Sequence, residues 1–236
     1  MTDVQLLNYD MAPDVVAFST TRQAGCSMAL CQQLGISDDR LVMPHQTHDT
    51  RVACIDEDFL SMTMAERQAA LDGIDALMTN VPGVCIGVRT ADCIPLLLYD
   101  PQHRAACAIH AGWRGTVARL TEKAVCAMTA TYGTRPSDLI AQIGPGISLD
   151  SFEVGQEVYD AFAAAGFDMP TISKRYAKWH IDLPECNRRQ LTDSGLRADR
   201  ITLCGICTYK AYDTFFSARR LGINTGRIFT GILLKA

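Results

Sequence analysis

Arg89–Thr116 reads RTADCIPLLLYDPQHRAACAIHAGWRGT, and the fold turns on how this stretch is read. Two β-like runs, Ile94–Tyr99 and Ala105–Ala111, flank a turn at Asp100–Arg104. Cys93 stands just before the first run and His110 near the end of the second. A Gly-Trp-Arg-Gly turn follows and opens a helix. If the runs pair as a hairpin, Cys93 and His110 return to the same end of it. Ligand-type residues brought together beside a glycine-hinged helix start point to a site.

Outward from this stretch, short strands alternate with helices. Upstream, Val15–Ser19, Leu41–Pro44, Arg51–Ile55, Ile74–Met78 and Val84–Val88 have strand character, with a polar turn over Thr20–Gly25. Met62–Leu71 carries helix formers, whereas residues 26–40 carry no decisive pattern. The neighbouring runs 84–88, 94–99 and 105–110 read as successive hairpins. Downstream, apolar residues at 117, 120, 124, 125 and 128 predict an amphipathic helix over Thr116–Thr131, stopped at Gly133. Leu139–Ile143 is a strand and Glu153–Ala165 a helix. Ala177–Leu183 is a strand, and Pro184–Asp193 a helix with proline in its first turn. Ile201–Ile206 and Arg227–Leu234 are late strands, with the polar loop Asp213–Gly226 between them. The expectation is one α+β domain over residues 1–236, with mixed sheets and helices on the outer faces.

The chain has 236 residues, enough for a substantial core. A net charge of -4, with no basic run longer than a pair, argues against a nucleic-acid-binding face. The N-terminus carries acids where a signal peptide carries bases. No apolar run approaches the roughly 18–20 residues of a membrane span. A cytoplasmic protein is expected. Of its ten cysteines, Cys54, Cys85, Cys107 and Cys126 sit in apolar runs and read as small buried hydrophobes, and no disulfide framework is expected.

Five histidines occur. His103 lies in the hairpin turn and reads as a solvated loop residue; His180 lies in a strand and reads as structural. His45 and His48 share a segment at a strand end. His48, Cys93 and His110 all stand at strand ends beside turns, and tertiary structure would have to bring them together. Two imidazoles and a thiolate suit zinc, and copper binds such a set too. Three protein ligands leave a fourth position open, where zinc lowers the pKa of bound water towards about 7. Asp92 is a candidate general acid/base, or a turn cap. The same residues permit metal-free chemistry, with Cys93 as nucleophile and His110 or His48 as its base. Arg22, Arg89 and Arg114 lie beside turns and strand ends, where a phosphate or carboxylate would be welcome. Cys204 and Cys207 form a single CxxC with no second pair at zinc-finger spacing.

Several pieces together resemble the YfiH family, also called multicopper polyphenol oxidoreductase (laccase) or peptidoglycan editing factor proteins. They are Ser19–Arg22 with Gly25-Cys26-Ser27, Gln46-Thr47-His48, Asp75–Thr79, Thr90–Pro95 and His110–Gly115. Further on come Ile143–Pro145, Phe152–Gly155, Cys207-Thr208, Phe216–Arg220 and Thr225–Arg227. The resemblance implies a zinc site at His48, Cys93 and His110 and a cytoplasmic α+β fold. For activity it implies phosphorolysis of adenosine, inosine and methylthioadenosine, with adenosine deamination as a second reaction. Nucleoside and phosphate are then the partners of a monomer or small homo-oligomer. Family names also record copper-dependent phenol oxidation and peptidoglycan precursor editing. For the latter, a cysteine hydrolase or amidase is the alternative. The chain departs from the family in a short Met28–Arg40 segment and in lacking paired cysteines after Ile143–Pro145. Five histidines are too few for the separate copper centres of a multicopper oxidase.

Overall fold

The computed structural model describes residues 4–23 and 27–235. The end of the Thr20–Gly25 turn and the Gly25-Cys26 pair lie outside them. In chain order the strands begin with β1 (Leu6–Tyr9), β2 (Val15–Thr20), β3 (Leu41–Val42), β4 (Val52–Cys54) and β5 (Ala76–Thr79). Next come β6 (Cys85–Thr90), β7 (Ile94–Asp100), β8 (Ala105–Ala111) and β9 (Ile140–Ile143). The last are β10 (Glu153–Val154), β11 (Ser173–Arg175), β12 (Trp179–Ile181), β13 (Ile201–Leu203) and β14 (Ile228–Leu234).

The quoted stretch forms the expected hairpin. β7 and β8 pair antiparallel, with Pro95 opposite His110 and Ile94 opposite Ala111, so Cys93 and His110 share one end. Asp100 fixes the turn: its carboxylate accepts from the Gln102 and His103 N–H groups and from His103 Nδ1. The hairpin lies inside a six-stranded sheet of order β13-β9-β7-β8-β5-β4. A five-stranded sheet runs β1-β2-β14-β6-β3, and a small one β10-β12-β11. Both large sheets mix parallel and antiparallel pairs.

Successive side chains of a strand point to opposite faces, and in β7 both faces are covered. Leu96 and Leu98 join Ile109 of β8 and Val125, Met128, Phe162 and Leu191, the last four from the helices Leu120–Tyr132, Gln156–Ala164 and Leu183–Asp193. Leu97 and Tyr99 face Ala17, Ile86, Val88 and Ile232 of the five-stranded sheet. The outer side of that sheet, through Phe18, Cys85 and Phe229, packs on Leu30 of the helix Ser27–Leu34. The layers are therefore helix, sheet, sheet, helix. A central strand covered on both sides has no solvent face, which is why β7 reads as a continuous apolar run.

The α+β expectation with helices outside holds, and several local expectations are corrected. β6 does not pair with β7; long-range pairing with β14 draws it into the other sheet. The helix expected over Thr116–Thr131 is two helices, Trp113–Val117 and Leu120–Tyr132, broken at Arg119 in the left-handed region (φ 63°). Arg119 is held there by a hydrogen bond to the Ala165 carbonyl and by the face of Phe167. Gly133 caps the second helix in the left-handed conformation, as expected. The helix expected over Glu153–Ala165 spans Gln156–Ala164, because Glu153 and Val154 belong to β10. The 213–226 loop carries a short helix, Ala218–Leu221. Cys85 and Cys107 are buried as read, but Cys54 is half-buried and Cys126 exposed. No helix among the described residues is long and apolar enough to cross a membrane.

Candidate metal centre and substrate cavity

Asp75 organises the site from the first residue of the Asp75–Thr79 motif. It is fully buried, and four donors converge on its carboxylate. Oδ2 accepts from the N–H groups of Thr47 and Asp49 (3.1 and 2.9 Å). Oδ1 accepts from the His48 N–H (3.1 Å) and from His110 Nδ1 (2.6 Å). These bonds hold the 47–49 turn, where His48 takes a left-handed conformation (φ 65°). They also fix the His110 tautomer, because a carboxylate can only accept. Nδ1 carries the proton, and Nε2 is left to face the site.

The Gln46 side chain ties the same turn to β6. Its amide donates to the Arg89 carbonyl and its oxygen accepts the Arg89 N–H, both at 2.8 Å. His48 Nε2 thereby comes to 3.8 Å from Cys93 Sγ, and the His48 and His110 rings meet edge to face at 4.8 Å. One ligand atom from each of His48, Cys93 and His110 lies within 4.8 Å of the others. Gly112 makes the approach possible. A Cβ there would stand 2.8 Å from His48 Cδ2 and 3.1 Å from Cys93 Sγ.

Cys93 and His110 are electrostatically coupled. Burial alone would raise the Cys93 thiol, but the adjoining His110 charge and hydrogen bonds from both histidines bring it down to about 6. Burial alone would lower His110, but the Cys93 thiolate and the Asp75 carboxylate raise it to about 9. One separation in the donor set is near a ligating value: tetrahedral zinc, with Zn–S of about 2.3 Å and Zn–N of about 2.05 Å, sets sulfur and nitrogen ~3.6 Å apart, and Cys93 Sγ lies 3.8 Å from His48 Nε2, within a group spanning up to 4.8 Å.

The trio opens onto a cavity of about 860 Å³, within the usual size range for small-molecule sites. Arg89, Arg219, Arg227, Trp113 and Phe152 line it, together with His45 and Asn224. Of the arginines expected at an anion site, only Arg89 is in this wall. Arg22 lies over the Phe216 ring, donates to the Tyr212 carbonyl and borders a separate cavity of about 190 Å³. Arg114 lies over the Trp113 ring at 4.5 Å and is not among the lining residues.

Asp92 is in the cavity wall, but both of its oxygens are engaged. Oδ1 accepts from the Thr208 hydroxyl and Oδ2 from the Arg219 N–H, each at 2.7 Å. Arg219 and Arg227 escaped a sequence assignment although both stand in quoted motifs. Nothing in a polar loop reveals that Arg219 will lie over Phe152 and donate to the Glu153 carbonyl, or that Arg227 will hold the Ile223 and Gly226 carbonyls. The role of Asp75 was equally hidden. Its one sequence signal is a lone acid at the head of a buried apolar strand. Cys204 and Cys207 border a different, small cavity and take no part in the trio.

Known proteins are similar to this chain over nearly its whole length. A purine nucleoside phosphorylase of Bacteroides thetaiotaomicron is 43% identical over 262 aligned positions, covering 98% of this chain and 97% of that protein. A protein named adenosine deaminase RL5, from an unknown prokaryotic organism, is 45% identical over 94% of this chain and 86% of its own length. The crystal structure of the Bacillus licheniformis hypothetical protein YfiH has the same fold, with a TM-score of 0.86 over 97% of this chain and 99% of that one at 24% identity. Residues 18–235 match the family described as multi-copper polyphenol oxidoreductase laccase, and the chain belongs to that family of YfiH-type enzymes.

Proposed function

We propose that the chain is a zinc-dependent purine nucleoside phosphorylase for adenosine, inosine and methylthioadenosine, with adenosine deamination as a second reaction. The observation that carries this reading is an open His-Cys-His donor set facing a cavity with three arginines in its wall. Relatives named for both reactions support it. His48, Cys93 and His110 would hold the metal, which when bound supplies Lewis acidity beside the substrate. Arg89, Arg219 and Arg227 would receive phosphate, for which guanidinium groups have the matching charge and geometry. Trp113 and Phe152, each with an arginine over one ring face, would supply the aromatic part of the wall for a purine. Asp75 keeps His110 in the ligating tautomer.

The test is incubation of zinc-loaded protein with adenosine and phosphate. Adenine and ribose 1-phosphate are the expected products, and Cys93→Ala abolishes their formation. Absence of turnover, where a known phosphorylase succeeds under the same conditions, contradicts the proposal.

One observation favours a second reading. The lowered thiol of Cys93 beside the raised imidazole of His110 is also the arrangement of a cysteine nucleophile and its base. An amidase or hydrolase of that kind keeps its activity under chelation and forms a covalent adduct on Cys93. Loss of activity on chelation, with recovery on adding zinc, excludes it. A copper polyphenol oxidase finds less support. Among the described residues one such three-donor group is present, and a multicopper enzyme requires several metal centres.

A further inference from the structure

Resting on the phosphorylase reading, phosphorolysis needs a group that protonates the purine as it departs, and the cavity restricts the choice. The metal trio is committed to ligation. The three arginines keep their charge at all working pH. Asp92 has both oxygens occupied by the Thr208 hydroxyl and the Arg219 N–H. One titratable residue of the described lining remains, His45. Its Nδ1 lies 2.6 Å from Asp72 Oδ1, a carboxylate that can only accept. Nδ1 therefore donates, and Nε2 is free. The main chain beneath the ring is fixed: the His45 N–H donates to the Leu71 carbonyl, and the Gly73 N–H donates to the His45 carbonyl, while the largely exposed ring is oriented by Asp72. Arg51 stiffens that segment from behind, donating to the Asp72 and Gly73 carbonyls.

We infer that His45, oriented by Asp72, is the acid–base residue of the site. As a phosphate oxygen bonds to the ribose C1′, the C1′–N9 bond breaks and its electron pair stays on the purine. The proton on His45 Nε2 passes to purine N7. The proton that arrived on hydrogen phosphate, released as ribose 1-phosphate forms, reloads the imidazole. Imidazole is the side chain suited to this exchange near neutrality. The charged groups around it are Asp72, Arg51 and, beyond Gln46, Arg89.

The test compares zinc-loaded wild-type protein with His45→Gln. The variant is expected to lose about a hundredfold or more in kcat for adenosine phosphorolysis, the usual worth of general acid–base catalysis. Its zinc content and its KM for phosphate stay at the wild-type values. The pH profile of kcat changes in the variant. In His45→Ala, added imidazole restores part of the turnover. A His45→Gln enzyme within about threefold of wild-type kcat, with an unchanged pH profile, overturns this role and leaves the proposed function standing. Loss of zinc from His45→Gln, or failure of imidazole to rescue His45→Ala, assigns His45 a structural part and overturns it too. Wild-type protein that turns over no purine nucleoside overturns both readings.

Discussion

Replacing Asp75 with asparagine probes how the site is built. The substitution keeps shape and volume and exchanges one carboxylate oxygen for an NH2 group. Each oxygen now accepts two hydrogen bonds, Oδ1 from His48 N–H and His110 Nδ1, Oδ2 from Thr47 N–H and Asp49 N–H. If the amide oxygen stays at the Oδ1 position, the Thr47 and Asp49 N–H groups face another donor. Two stranded donors at about 1–3 kcal/mol each give a loss of about 2–6 kcal/mol in folding stability. If the amide turns round, His110 loses the acceptor that fixes its tautomer. Either way the metal is held less well, by about 10–100-fold in affinity, as for other residues that orient a ligating histidine. Urea unfolding of the metal-free protein reads the first effect, and competition for zinc against a chromophoric chelator reads the second. An Asp75→Asn protein with wild-type unfolding free energy and wild-type zinc affinity would refute the reasoning.

Other residues make independent predictions. With Cys93 held down at about 6 and His110 up at about 9, the metal-free site at pH 7–8 is a thiolate beside an imidazolium. Zinc must therefore displace about one proton, from His110, in that window, about two from the pair below it and none from the pair above it. Calorimetry of zinc binding in buffers of different ionisation enthalpy measures the release. Gly112→Ala places a Cβ against His48 and Cys93 and is expected to abolish stoichiometric zinc binding while the far-ultraviolet circular dichroism stays unchanged. Asn187 is buried, donates to Thr116 Oγ1 and accepts from Thr121 Oγ1. Asn187→Leu strands both hydroxyls and is expected to cost about 2–5 kcal/mol of stability, read by urea denaturation.

The parts of the molecule legible in the sequence are those set by local pattern. The β7–β8 hairpin shows because two apolar runs are bounded by a turn whose acid, Asp100, caps it. The meeting of His48, Cys93 and His110 shows in part: Cys93 and His110 stand at the shared end of the hairpin, whereas His48 lies in the loop between β3 and β4 rather than at a strand end. What stayed hidden depends on distant partners. Membership of β6 in the second sheet is set by β14, about 140 residues away. The helix break at Arg119 is imposed by Ala165 and Phe167. Arg22 and Arg114 stand beside the expected turns, but their side chains lie against Phe216 and Trp113 instead of lining the main cavity. Backbone position is a local property, whereas side-chain direction is decided by what packs around it.

The central claim is that one metal held by His48, Cys93 and His110 underlies purine nucleoside turnover. The most direct measurement titrates chelator-stripped protein with zinc and follows adenosine phosphorolysis alongside metal content. Activity that rises linearly and saturates at one zinc per chain, with Cys93→Ala neither binding nor active, is the predicted result. Full activity in the stripped protein, or saturation with zinc without any nucleoside turnover, would contradict it.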